Sequence, residues 1–259
     1  MPRFENLEFG TPEPQRTAAD VPQRDPVHDE TYWMKQADLE RRNGCHENAL
    51  RYYSRALEMD RTIVGAWVGQ VQMLIALKEY PEAELWSRKA NDLFRNNHEL
   101  IAARAHALVR NGDLAKAKPL CDAAIMGEGK EAYPWLVRGE CLLAAKDPVE
   151  QHCFDKARQL SGDWLLRLEI ADSYLFFKRP AKAIALLREA IQLAADRPHL
   201  WYRQGLCERE LGFNAAARQS FNRCVELAPG HLEAKRALHQ MESAGWWPAR
   251  IFRRMFATD

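Results

Sequence analysis

Bulky and small apolar residues return along this chain at a fixed interval. Tryptophan occupies four places that are one or two steps of about 34 residues apart, and a small or β-branched residue follows each by four positions. The tryptophans are Trp33, Trp67, Trp135 and Trp201, and the residues that follow are Ala37, Val71, Gly139 and Gly205. This period is typical of stacked helical repeats, in which each unit packs only on its neighbours.

The period divides the chain into an arm, six repeats and a cap. Each repeat is predicted to hold two helices joined by a turn that carries glycine or proline. The repeats cover residues 30–63, 64–97, 98–131, 132–163, 164–197 and 198–231, and the fourth is shorter by a residue or two. In the first repeat the helices are predicted near Thr31–Arg42 and His46–Met59. Residues 232–259 form a cap and tail, with a capping helix over His231–Ser243 whose outer face is polar.

Residues 1–29 carry five of the thirteen prolines, so no helical period survives there and an extended or disordered arm is predicted. Phe4, Leu7 and Phe9 form an apolar cluster within this arm. One hypothesis is that the cluster folds back onto the repeats and occupies a binding groove.

The pattern resembles the tetratricopeptide repeat, whose signature is Trp-x2-Leu-Gly-x2-Tyr, then Ala-x3-Phe and Pro. The sixth repeat matches best, with Trp201, Gly205, Ala217, Phe221 and Pro229. The resemblance covers about three quarters of the chain. It implies an all-α fold, a right-handed α-solenoid of about six helix pairs with a C-terminal capping helix.

Composition narrows the function classes. The 259 residues carry a formal net charge of +1, so no general field favours nucleic acid as a partner. The first residues lack the order of a secretory signal, and no run of some 18 apolar residues is present. The predicted compartment is therefore the cytoplasm.

No motif for catalysis or metal binding stands out. The six cysteines are scattered singly along the repeats, which favours buried thiols in a reducing compartment over disulfides. Cys45-His46 and His152-Cys153 lie three repeats apart and cannot share a zinc ion within one chain. Phosphate loops, nucleophile elbows and HExxH motifs are all missing. We expect no enzymatic activity, no metal and no cofactor.

The resemblance also implies a binding groove, because in this family the first helix of each pair lines the concave face. The residues that fall on that face are mostly apolar, with a few spaced polar groups. They are Met34, Asp38, Val68, Gln72, Ile75, His106, Leu136, Glu140, Leu143, Leu168, Asp172, Leu175, Tyr202 and Arg209. The lysine–asparagine–arginine clamp with which some members hold a peptide carboxylate is missing at these places.

The function expected from such a groove is that of a non-catalytic scaffold or adaptor, which receives a peptide or helix of another protein. The alternative is a dedicated chaperone that shields an aggregation-prone or secreted client. Co-expression separates them, because a chaperone keeps its client soluble whereas an adaptor bridges two proteins that are each stable alone. The oligomeric state stays open.

The tail joins aromatic residues to arginines. Its candidate contact residues are Trp246, Trp247, Arg250, Phe252, Arg253 and Arg254. The favoured interpretation is that the tail wraps back over the capping helix; docking on a protein partner and contact with a membrane surface stay open.

Overall fold

The computed structural model describes residues 29–127 and 130–255, with side chains as far as Ser243. In these residues it contains thirteen α-helices and no strand, which confirms the predicted all-α fold. The helices are α1 (Glu30–Arg42), α2 (His46–Met59), α3 (Val64–Ala76), α4 (Tyr80–Leu93), α5 (His98–Asn111), α6 (Leu114–Ile125), α7 (Ala132–Ala144), α8 (Glu150–Leu160), α9 (Trp164–Phe176), α10 (Pro180–Leu193), α11 (Pro198–Glu210), α12 (Asn214–Leu227) and α13 (Leu232–Met255).

The chain divides into two compact units. Unit 1 spans Met1–Gly127 and contains α1 to α6, and unit 2 spans Glu128–Asp259 and contains α7 to α13. Within each unit, every helix contacts the next one along the chain. First helices of successive pairs also contact each other, α3 with α5 in unit 1 and α7 with α9 in unit 2.

The turn inside each helix pair has the same backbone shape in all six pairs. One residue of each turn has a positive φ, in the left-handed region. These residues are Gly44, Lys78, Gly112, Lys146, Lys178 and Gly212. They are 34 residues apart except for the step from Lys146 to Lys178, because the fourth repeat is two residues shorter. Glycine takes this conformation without steric cost, whereas lysine does not.

Backbone hydrogen bonds explain why the lysines are tolerated. The amide of the residue after each left-handed position donates to the carbonyl five residues earlier, as in Glu79 N to Leu74 O at 2.9 Å and Asp147 N to Leu142 O at 2.9 Å. This pattern is the Schellman motif, which satisfies carbonyls at the end of a helix. The sequence predicted glycine or proline in these turns; in three of them proline only follows, and lysine occupies the left-handed position.

The core of unit 1 is centred on α3, in which every residue from Ala66 to Ile75 is buried. A mostly apolar helix is typical of a protein core, and α3, whose polar side chains are Gln70 and Gln72, contacts α2, α4 and α5. Trp67 packs near Trp86 of α4, with ring centroids 6.1 Å apart. The Trp67 indole N–H donates to the carbonyl of Arg61 at 2.9 Å, so its one polar group is satisfied.

In unit 2 glycine allows close packing within two of the pairs. A β-carbon on Gly139 would lie 2.7 Å from Phe154 of α8, and one on Gly205 would lie 2.6 Å from Phe221 of α12. Both phenylalanines are fully buried. Gly139 and Gly205, which the repeat pattern singles out, are therefore points of close approach between paired helices.

The last helix is longer than predicted. Ala234 and Ala237 of α13 are buried against Phe221 and Cys224 of α12, as a cap requires. The helix does not end at Ser243 but continues to Met255. The end predicted for the capping helix is therefore too early, while the contacts of the tail stay a prediction.

Candidate functional site

The candidate site consists of residues on the first helices of the pairs, α1, α3 and α5 in unit 1 and α7, α9 and α11 in unit 2. On α3, α7 and α9 they recur three and four positions apart, so those of one helix lie along one side of it. Each unit has its own set of these residues.

In unit 1 only a narrow strip of α3 on this side reaches solvent. Val68, Gln72 and Ile75 are 7%, 8% and 5% exposed, whereas Val71 and Leu74 on the same helix are at 0%. The first three therefore lie at the edge of the packing and reach solvent. His106 of α5, which is also 8% exposed, belongs to the neighbouring first helix. Met34 of α1 is half-buried.

Asp38 is the exposed acidic residue of this surface, and it has a partner within the chain. It accepts a hydrogen bond from the hydroxyl of Tyr53 on α2, with 2.6 Å between the oxygens. Burial raises the pKa of Tyr53, Arg41 opposes this and Asp38 adds to it, so the phenol stays neutral. A carboxylate accepts several hydrogen bonds, so Asp38 retains capacity for a further donor.

Gln72 lies buried beside these residues with an unmet hydrogen-bonding group. Within the described part of the chain its side-chain oxygen Oε1 has no hydrogen-bond partner. A buried acceptor without a partner costs about 1–3 kcal/mol. A glutamine side chain offers one acceptor and two donors, which match the N–H and C=O groups of an extended peptide backbone.

In unit 2 several predicted site residues lie inside the packing. Leu136 and Leu168 are 1% and 3% exposed, and Glu140 is completely buried. Leu143 keeps 8% exposure, which is comparable to the unit 1 residues. A partner can reach the first three only if the helices rearrange, so they shape this surface from beneath.

The two acidic groove residues of unit 2 are held by residues about one repeat away. Glu140 accepts a hydrogen bond from the Ser173 hydroxyl at 2.5 Å, which joins α7 to α9. Asp172 pairs with Arg203, whose Nε lies 2.9 Å from its Oδ1 and joins α9 to α11. The sequence analysis singled out neither Ser173 nor Arg203. Their separations of 33 and 31 residues from their partners, about one repeat, are the signal that could have found them.

A more open part of the unit 2 surface is formed by Leu175, Tyr202 and Arg209. The first two are half-buried and Arg209 is exposed. The Tyr202 ring lies 4.8 Å from the ring of His231, and burial is the main reason that its pKa is raised. This part of the surface combines apolar area with one cation.

Other kinds of site are less supported by the structure. Among the described residues, no three histidine, cysteine or acidic side chains are grouped so that they could hold a metal ion. All six cysteines are thiols; Cys45 is exposed and the other five are buried. Across the described ranges, no helix is both long and apolar enough to cross a membrane.

Two predicted regions lie outside what the structure describes. The arm with Phe4, Leu7 and Phe9 falls outside the described residues. The six tail residues from Trp246 to Arg254 lie on the backbone of α13, but their side chains are outside the described part. Their contacts therefore stay predictions.

Comparison with known proteins gives a consistent result. The tetratricopeptide repeat family model matches the chain over residues 34–98 and 168–231. A solved tetratricopeptide repeat protein from Parabacteroides merdae is similar, with 16% identity, a TM-score of 0.51, and coverage of 82% of this chain and 84% of that one. PilW, described as a widely conserved type IV pilus biogenesis factor, is similar with 15% identity, a TM-score of 0.50, and coverage of 81% and 98%. The curated proteins give no significant match. At these identities the structural likeness concerns the fold alone.

Proposed function

Because the chain belongs to the tetratricopeptide repeat family, we propose that it is a non-catalytic scaffold that binds a peptide or helix of another protein along its first helices. The fold itself suggests protein–protein interaction and implies protein partners. The finer parts of the proposal are the place of binding and the form of the ligand.

The observation that carries this proposal is the unpaired Oε1 of Gln72. This atom lies in a row with Val68 and Ile75, which are apolar and reach solvent at the edge of the packing. Because the Oε1 atom is itself buried, a bound peptide can donate a backbone N–H to it only when the Gln72 side chain turns outward. The side chains of the peptide then pack on the two apolar neighbours. Exposed Asp38 on α1 offers a second acceptor, which favours a ligand with basic or N–H donor groups.

In unit 2 the proposal involves Leu175, Tyr202 and Arg209. Each apolar side chain that a partner covers completely contributes roughly 1.5–3 kcal/mol. Arg209 would pair with an acidic group of the ligand. We also propose an adaptor role in the cytoplasm, because cysteines scattered singly along the repeats suit a reducing compartment.

The proposal is tested by capture of partners on the immobilised full chain, followed by affinity measurement with each purified partner. Gln72→Ala and Leu175→Glu are expected to weaken binding at least about tenfold, which corresponds to the loss of one well-placed contact. Both are compared with wild type for melting temperature, so that loss of folding is separated from loss of binding.

Leu85→Glu is the matched control, since Leu85 lies on α4, a second helix, and is 40% exposed. It adds the same charge away from the proposed surface, and we expect unchanged affinity. The proposal is wrong if folded Gln72→Ala and Leu175→Glu bind normally while Leu85→Glu does not.

A further inference from the structure

The final helix, α13, is longer than α12, the helix on which it packs. α12 has 14 residues and α13 has 24, which correspond to lengths of about 21 and 36 Å. A connection of only four residues joins them, so α13 turns back along α12. Even with its first residue level with the last of α12, about 15 Å of α13 must pass beyond the start of α12.

The described side chains of the first half of α13 form the cap. Its packing residues are Ala234 and Ala237, which are buried, and Leu238 and Met241, which are partly buried. They contact Phe221 and its neighbours in the last pair. Residues 244–255 continue the helix beyond these cap residues, and their composition suggests a role of their own.

That segment combines two sets of residues at helical spacing. Arg250, Arg253 and Arg254 are three and four positions apart, and so share one side of a helix. Trp247, Ile251 and Met255 are successively four apart and form an apolar row. No acidic residue occurs from position 243 to 258, so nothing in the local sequence neutralises the arginines.

From this combination we propose that the second half of α13 binds the surface of an anionic lipid bilayer and lies in its interfacial plane. Arginines on one side attract acidic headgroups, while the aromatic and aliphatic side enters the boundary between headgroups and acyl chains. Tryptophan prefers this boundary because its ring is apolar and its N–H is polar. The repeats would then be held at the membrane with their first helices available to a partner.

Charge favours an anionic lipid surface over a protein groove as the partner of this segment. A groove that takes an amphipathic helix covers mainly its apolar row, and three uncompensated arginines within about one and a half turns add little to such binding. An anionic surface uses both sides of the helix at once. The inference is independent of the proposed groove, because it involves no residue of the first helices.

The test is flotation of the full chain with vesicles of phosphatidylcholine alone and of phosphatidylcholine with about a third phosphatidylglycerol. We expect wild type to float with the anionic vesicles and to be released at high salt. Arg250→Glu/Arg253→Glu/Arg254→Glu should lose about a hundredfold in partitioning, and Trp246→Ala/Trp247→Ala about tenfold.

The matched control is Arg51→Glu/Arg88→Glu/Lys118→Glu, which changes net charge equally at three exposed positions on second helices of unit 1. It should float like wild type. Failure of wild type to float would overturn the inference, and so would equal losses in both triple variants. Tail-dependent capture of a protein without flotation would also overturn it.

Discussion

Units 1 and 2 each contain three helix pairs, followed in unit 2 by α13, but the two units join successive pairs differently. In unit 1 the joining element is α3, buried on all sides and rich in apolar residues, with Trp67 against Trp86. In unit 2 hydrogen-bonded acids connect the first helices, Glu140 to Ser173 and Asp172 to Arg203. The repeat pattern therefore fixes how two helices pair, while the chemistry between pairs varies.

The difference has a physical consequence. Apolar burial is largely insensitive to pH, whereas burial raises the pKa of two thiols in unit 2, Cys207 and Cys224. Unit 2 also has a charged contact between second helices, where Arg158 of α8 lies 2.7 Å from Glu189 of α10. We expect unit 2 to be the unit whose stability depends more on conditions.

The largest effect on stability is expected when valine replaces a glycine at which two helices touch. In unit 1 a β-carbon on Gly69 would lie 2.4 Å from the Tyr53 ring, and in unit 2 one on Gly139 would lie 2.7 Å from Phe154. Because both rings are buried and cannot move away, Gly69→Val and Gly139→Val should each lower the free energy of unfolding by about 3 kcal/mol or more. Chemical denaturation followed by circular dichroism measures this.

Gly162 and Gly230 provide controls, since a β-carbon there would meet nothing within 4 Å. Alanine at either position should be neutral or slightly stabilising, by up to about 1 kcal/mol. Gly69 of α3 meets Tyr53 in the preceding helix pair, whereas Gly139 of α7 meets Phe154 in its own pair. A much smaller loss of stability in Gly69→Val than in Gly139→Val would therefore show that close glycine contacts matter within pairs and not between them.

The sequence predicted what depends on local pattern. Trp67, Ala83 and Gly205 occupy repeat positions whose size alone indicates close helix packing. It did not predict that Glu140 and Asp172 would be held internally, because their partners lie one repeat away and meet them only through stacking.

The length of α13 was missed for a different reason. Gly245 and Pro248 disfavour helix by propensity, so the sequence placed the end at Ser243, yet the helix continues to Met255. Propensity is a weak guide where a helix has already been nucleated by packing upstream.

The second prediction concerns alkaline pH and unit 2. Burial raises the pKa of both Cys207 and Cys224 to about 11 from an ordinary value of 9.0. The folded state therefore holds these protons more tightly than the unfolded state. Their contribution to stability is complete below pH 9 and is lost as the pH rises towards 11. By pH 10 each thiol should have lost about 1 kcal/mol.

The measurement is the denaturation midpoint of wild type and Cys207→Ala/Cys224→Ala between pH 8 and 10. Alanine suits both sites: it occupies the place of Cys224 in the other repeats, and Ala107 occupies the place of Cys207. The variant should show a shallower decline with pH than wild type. Parallel curves would mean that the thiols do not titrate differently in the folded protein.

The third prediction tests the connection between first helices in unit 2. Arg203→Ala leaves the half-buried carboxylate of Asp172 without its cation, and should lower the free energy of unfolding by about 1–2 kcal/mol. Arg223→Ala removes the exposed pair with Glu226, and should change it by less than about 0.5 kcal/mol. A double-mutant cycle with Asp172→Ala isolates the pair. A coupling near zero would show that this pair does not help to join α9 to α11.

The smallest change in stability is expected in unit 1, where the substitution should stabilise the protein. Gln70 stands at the leucine place of the repeat signature, is 1% exposed, and its Oε1 has no hydrogen-bond partner in the described residues. Gln70→Leu replaces this unsatisfied amide by an apolar side chain of similar size, and should stabilise the protein by about 1 kcal/mol. Gln72→Leu should stabilise similarly but weaken partner binding, because only Gln72 lies in the row with Val68 and Ile75. If both variants stabilise and both leave binding intact, the amide of Gln72 has no role in recognition, and unit 1 is a packing element rather than a binding surface.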